Sequence, residues 1–169
     1  MATEFRYETV FEASGKDTVL AAYFDDDHLA TQDRVAELCE RRVVESHDDA
    51  AVRACTWSVR AQRPLPLFVR PFVEGGRLSY LEAMRWRKAD DEIDLTVTPQ
   101  ILGGRVQITA VYQLTDVAPG KVRRVYAGAI RVELKLVSGK IERAIAAEIE
   151  KAMPTMTACT QDWLTRTGR

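Results

Sequence analysis

Histidine is nearly absent from this chain, which has only two among 169 residues. They are His28 and His47, far apart. His28 ends the run "DDDH", but four consecutive side chains cannot converge on one ion, and no other His or Cys stands at ligand spacing. The run reads as a helix cap, and His47 beside Asp48 and Asp49 reads as a solvated turn. The three cysteines, Cys39, Cys55 and Cys159, form no CxxC pair and are odd in number. That disfavours a disulfide framework and points to reduced, inert thiols in a cytoplasmic protein. No cysteine has a histidine near it in sequence, so no nucleophile–base pair is visible. No P-loop or dinucleotide glycine pattern occurs; "EGGR" and "LGGR" are turns. No apolar run approaches the roughly 18 residues of a membrane span, so the protein is not expected to be membrane-integral. The alternating, charged opening "MATEFRYETVFEA" is unlike a signal or transit peptide. Net charge is −1, so no global field draws the chain to nucleic acid or an anionic surface. No cofactor or metal is expected.

What is present is a globular balance of 46% hydrophobic and 29% charged residues, enough for a sizeable core in one domain over 1–169. "EFRYETVF" alternates with period two, a strand. "SGKD" offers Ser14 as an N-cap, and Val19, Leu20, Tyr23 and Phe24 follow at helical spacing. A second helix is expected from Leu29 to about Cys39. The stretch "RRVVESHDDAAVRACTWSVRA" reads as a hairpin turning at His47 to Asp49. The segment "PLPLFVRPFVEGG" is too rich in proline for a central strand. "RLSYLEAMRWRK", "EIDLTVTPQI", "RVQITAVYQLTDV" and "KVRRVYAGAIRVELKL" follow as strands with hairpin-length links, hence an antiparallel sheet.

The chain then closes on a long helix. Ile141, Ile145, Ile149, Met153 and Met156 recur every three or four residues, with Ala144, Ala152, Cys159 and Trp163 widening the stripe. Lys140, Glu142, Arg143 and Glu150 fall off it. From Ser138 to Thr165 such a helix measures about 42 Å, and Pro154 is expected to bend it. It is the natural cover for the sheet's inner face.

Element order and residues together resemble the START-like, or SRPBCC, superfamily, the helix-grip group that includes birch-pollen-like allergens. "LPLFVRPFVEGGRLSYLEAMRW" followed by "GKIERAIAAEI…WL" is similar more narrowly to its DUF2505 branch. The resemblance implies an α+β helix-grip fold. A seven-stranded curved antiparallel sheet would wrap around the C-terminal helix, with two short helices after strand one. It also implies a hydrophobic cavity between sheet and helix, in a family whose members bind lipids, sterols, polyketides or hormones, with some acting as cyclases.

Alternation nominates the lining of such a cavity. Leu78, Tyr80, Glu82, Met84 and Trp86 share one face; Val106, Ile108, Ala110, Tyr112 and Leu114 share another. Ile130, Val132, Leu134 and Leu136 continue back through Gly128 to Tyr126 and Arg124. The candidate ligand-binding residues are therefore Tyr80, Glu82, Met84, Trp86, Tyr112, Arg124, Tyr126, Ile145, Ile149 and Met153. Phe68 and Phe72 in the proline-rich segment are candidate gates. An ionised Glu82 in a dry core is costly, so Glu82 is expected to pair with Arg124 or to serve as a polar anchor. Arg85, Arg87 and Lys88 fall on the face opposite Trp86 and read as solvated. The leading expectation is a monomer or homodimer that binds a hydrophobic small molecule or lipid, with no nucleic acid partner and no catalytic residue. The alternatives are a polyketide cyclase or dehydratase-like enzyme using Glu82, Tyr112 or Arg124, and an interaction module whose cavity is filled by side chains.

Overall fold

A computed structural model describes residues 2–63, 70, 73, 76–134 and 136–169. The order is β1 (Thr3–Glu12), α1 (Lys16–Ala22), α2 (Asp26–Val35), β2 (Leu38–Asp48), β3 (Val52–Ala61), β4 (Ser79–Arg87), β5 (Glu92–Pro99), β6 (Val106–Ala118), β7 (Lys121–Val132) and α3 (Ser138–Thr167). The strands form one antiparallel sheet in the order β1-β7-β6-β5-β4-β3-β2. Consecutive strands pair as hairpins from β2 to β7. The two short helices carry the chain from β1 to the opposite edge. This is the helix-grip architecture.

The registers confirm the inner face read from alternation. Tyr112 of β6 stands opposite Tyr126 of β7, which stands opposite Tyr7 of β1. Glu82 of β4 lies between Trp57 of β3 and Val97 of β5. Gly128 is required by close approach: a Cβ there would lie 2.2 Å from the Thr109 carbonyl oxygen and 2.7 Å from Ala110 Cβ. Nothing larger fits where β6 and β7 curl together.

Three local details depart from expectation. The first helix has Gly15 at its N-cap with no side-chain bond, so Ser14 does not cap it. The cap of α2 is Asp25, whose carboxylate accepts from the Asp27 and His28 amides. The run "DDDH" thus caps the helix as expected, through Asp25, and His28 itself is not the cap. It sits in the first turn with its ring fully buried, Nε2 3.0 Å from Thr160 Oγ1, packed edge-on against Tyr23 and Trp163. The helix stops at Val35, and β2 starts at Leu38, one residue before the helix was expected to end.

The final helix is 30 residues long, about 45 Å. Pro154 lies inside it on an exposed position; the amide it lacks would have bonded the Glu150 carbonyl. The helix ends at Gly168, φ 69°, where the Arg169 amide returns to the Leu164 carbonyl at 3.0 Å, a left-handed cap that glycine adopts without strain. Burial along it is uneven. Ile141 at the start, and Cys159, Thr160, Trp163 and Leu164 near the end, are buried, whereas Ile145, Ile149, Met153 and Met156 are only partly so.

Glu142, expected off the stripe, is buried. Its carboxylate accepts from the Val132 amide at 3.0 Å and from Thr3 Oγ1 at 3.0 Å. It holds the last residue of β7, where the ladder has run out. That end is also why Leu136 does not face inward: β7 stops at Val132, and Leu136 is 96% exposed.

Candidate functional site

Beneath the middle of α3 lies a cavity of about 320 Å³. Its floor is the inner face of β4 to β7 and its walls are α2, the start of β2 and α3. The lining includes Tyr80, Glu82, Met84, Tyr112, Arg124, Tyr126, Ile149 and Met153, eight of the ten residues nominated from sequence. Among the described lining residues, Gln32, Ala36, Ala152 and Met156 also reach solvent, which puts an opening between α2 and α3.

Two nominated residues stand elsewhere. The Trp86 ring lies 6.3 Å from Phe24, and its Nε1 donates to Asp91 at 3.2 Å. It plugs the sheet's end near the β4–β5 turn instead of lining the cavity. Ile145 packs between the main core and a smaller cluster of Ile101, Val106, Val132 and Ile141. Phe68 and Phe72, the expected gates, lie outside the described residues.

The expected pairing of Glu82 with Arg124 is not formed. Glu82 accepts from Arg41 Nη1 at 3.1 Å, and Arg41 also grips Asp33 through two bonds of 2.8 Å. These side chains are all about one-eighth exposed, and the Arg41 guanidinium lies 5.4 Å from the Trp57 ring. Burial raises the Glu82 carboxyl above its ordinary range, opposed by the charge and hydrogen bond of Arg41. Burial works against the charge on Arg41 too, but the bonds to Asp33 and Glu82 outweigh it, and its pKa rises.

Arg41 was invisible in the sequence because β2 does not alternate regularly. Its register slips between Cys39 and Arg42, and again between Val43 and Glu45. Two β2 residues there face Val59 alone, with Glu40 at φ 52°. This bulge turns Arg41 inward from a strand whose other side chains are largely exposed.

The far wall is aromatic. Tyr23, Tyr112 and Tyr126 stack in a row, with centroids 4.6 Å and then 4.7 Å apart and ring planes 9° and 25° from parallel. Arg124 crosses the row's edge. Its Nη1 donates to Tyr23 Oη at 2.8 Å and its Nη2 to Thr157 Oγ1 at 3.0 Å. It lies 4.9 Å from the Phe11 ring and 5.7 Å from the Tyr112 ring. Burial raises the pKa of Tyr80, Tyr112 and Tyr126, so all three stay neutral phenols.

Nucleophilic chemistry has little to work with here. Burial raises the pKa of Cys55 and Cys159, and neither lines the cavity. On the outer face Arg87 pairs with Asp90, Glu92 and Asp94, and Lys88 with Asp48. Among the described residues no three His, Cys, Asp or Glu side chains gather at one point, and no helix is long and apolar enough to cross a membrane.

A curved seven-stranded antiparallel sheet gripping a C-terminal helix, with two short helices between its edge strands, is the helix-grip fold. Solved structures of that fold match along nearly the whole chain. The Zhui aromatase/cyclase of Streptomyces sp. R1128 superposes with TM-score 0.69 at 10% identity, covering 100% of this chain and 97% of that one. Ara h 8.0201 gives 0.68 at 10% identity, covering 98% and 99%. A START superfamily protein from Mycobacterium smegmatis gives 0.60 at 8% identity, covering 97% and 98%. These likenesses are likenesses of fold. No curated protein matches the chain. The chain belongs to DUF2505, described as "Protein of unknown function", whose family profile matches residues 7–164.

Proposed function

We propose that this chain binds a hydrophobic small molecule or lipid of modest size in the cavity between its sheet and α3. The observation that carries this reading is the cavity itself. About 320 Å³ stays open under a helix whose facing side chains, Ile149 and Met153, are apolar and only partly buried. That volume lies near the lower end for small-molecule sites, which pair apolar walls with a few placed polar groups. The fold supports it, since the superfamily is known for hydrophobic ligands. An open cavity counts against a core filled by side chains. The cyclase-like alternative has two lining carboxylates to use, Glu82 and Asp33, and Arg41 already holds both.

Purified protein should be analysed by native mass spectrometry, extracted, and then titrated with a fluorescent apolar probe. Saturable binding that Met153→Trp abolishes without loss of folding is the expected result. Probe binding unchanged in that variant would place the ligand elsewhere and overturn the reading.

A further inference from the structure

Two arginines line the cavity, and they are provided for very differently. Arg41 has two carboxylates, Asp33 and Glu82, and is satisfied. Arg124 is 3% exposed, yet among the described residues no carboxylate pairs with it. Its polar partners are two neutral hydroxyls, those of Tyr23 and Thr157. A guanidinium carries five N–H donors; two are used here, and Nε is buried with no partner. The faces of Phe11 and Tyr112 offset part of the cost of burial. An uncompensated buried charge remains among the costliest features a core can carry.

We infer that the ligand is an apolar molecule bearing a single carboxylate, and that Arg124 is the cation that receives it. This rests on the cavity being the binding site. The planar fork of arginine matches a carboxylate through paired N–H donors. A single cation without a carboxylate partner matches one negative charge, because Arg41 is already held by two acids of its own. A phosphate dianion would find no second free cation in the described lining. The stacked tyrosines and Met153 then receive the ligand's apolar body.

The test is calorimetric titration at pH 7.5 with 2-naphthoate and decanoate, each against its neutral alcohol, 2-naphthylmethanol and decanol. The wild-type protein should bind each acid at least tenfold more tightly than its alcohol. Arg124→Met should erase that preference while keeping the affinity for the alcohols, and Arg124→Lys should retain part of it. Equal affinities for acid and alcohol in the wild-type protein, or a preference that survives in Arg124→Met, overturns the inference. Alcohol binding without acid preference sinks the role of Arg124 alone; failure of all four compounds to bind sinks the cavity reading as well. Should Arg124→Met not fold, the wild-type comparison and Arg124→Lys decide the matter.

Discussion

The last third of α3 and its middle third are made of similar residues and do different work. Trp163 and Leu164 are sealed against α1, α2 and β1, with exposures of 2% and 0%. Around them His28 Nε2 meets Thr160 and the Gln161 side-chain amide exchanges two 2.9 Å bonds with the backbone of Glu12, while His28 Nδ1 and Trp163 Nε1 are sealed in without a partner among the described residues. About three to four turns earlier, Ile149 and Met153 face a void. The same apolar stripe is core at one end and lid in the middle. Side-chain hydrophobicity decides that the helix docks; what stands on the sheet opposite decides whether the space beneath is filled.

The largest effect should come from the sealed end. Trp163→Ala should cost about 3–5 kcal/mol of stability, the usual penalty for emptying a close-packed aromatic site. Met153→Ala, over the void, should cost about 1 kcal/mol or less, because little transfer energy is lost where burial is already partial. Urea denaturation of both variants tests the contrast. Equal losses would mean that the middle is packed as tightly as the end.

A pH series sharpens the same contrast. Burial lowers the His28 pKa from 6.5 to about 4. Between those values the unfolded chain holds the proton and the native state does not, so stability falls as pH drops from about 6.5 to about 4. By linkage the loss reaches about 3 kcal/mol and is complete below the lower value. His28→Gln should flatten that window. A wild-type protein of constant stability from pH 7 to pH 4 would mean that the ring is not sealed in neutral form.

The acid–arginine cluster at the cavity's other wall should respond less. Arg41→Met strands Asp33 and Glu82 without their cation. A fully buried pair broken this way costs 3–5 kcal/mol; with each group about one-eighth exposed, about 2 kcal/mol is expected. Arg41→Met combined with Glu82→Gln should recover part of it. If the double variant is no better than the single, Glu82 does not depend on Arg41.

Regular alternation is why so much of the fold was readable. On β4, β6 and β7 it put Tyr80, Glu82, Met84, Tyr112, Arg124 and Tyr126 on one face, and the structure keeps them there. What alternation cannot give is a partner across strands. Glu82 and Arg124 point into the same space yet sit at different ends of it, so their pairing fails, and the true partner comes from a bulged strand where period two breaks down. The burial of His28 and Glu142 was missed for a related reason. Pattern places His28 in a capping run and Glu142 off the apolar stripe, and both are buried against a distant partner, Thr160 for one and Val132 and Thr3 for the other. Trp86 alternates correctly but lies one step beyond the cavity's end.

Filling the void should turn the middle of the helix into a copy of its end. Ile149→Phe adds volume where the cavity has room, so the overpacking penalty of a tight core does not apply. Stability should rise by about 0.5–1 kcal/mol, within the range of cavity-filling substitutions, while probe binding is lost. Thermal denaturation and probe titration read the two effects on one sample. A stabilised protein that still binds would mean the ligand enters elsewhere. A destabilised protein that no longer binds would mean that α3 already sits as close to the sheet as its side chains allow, and that the space below Ile149 is maintained by strain instead of by the shape of the sheet.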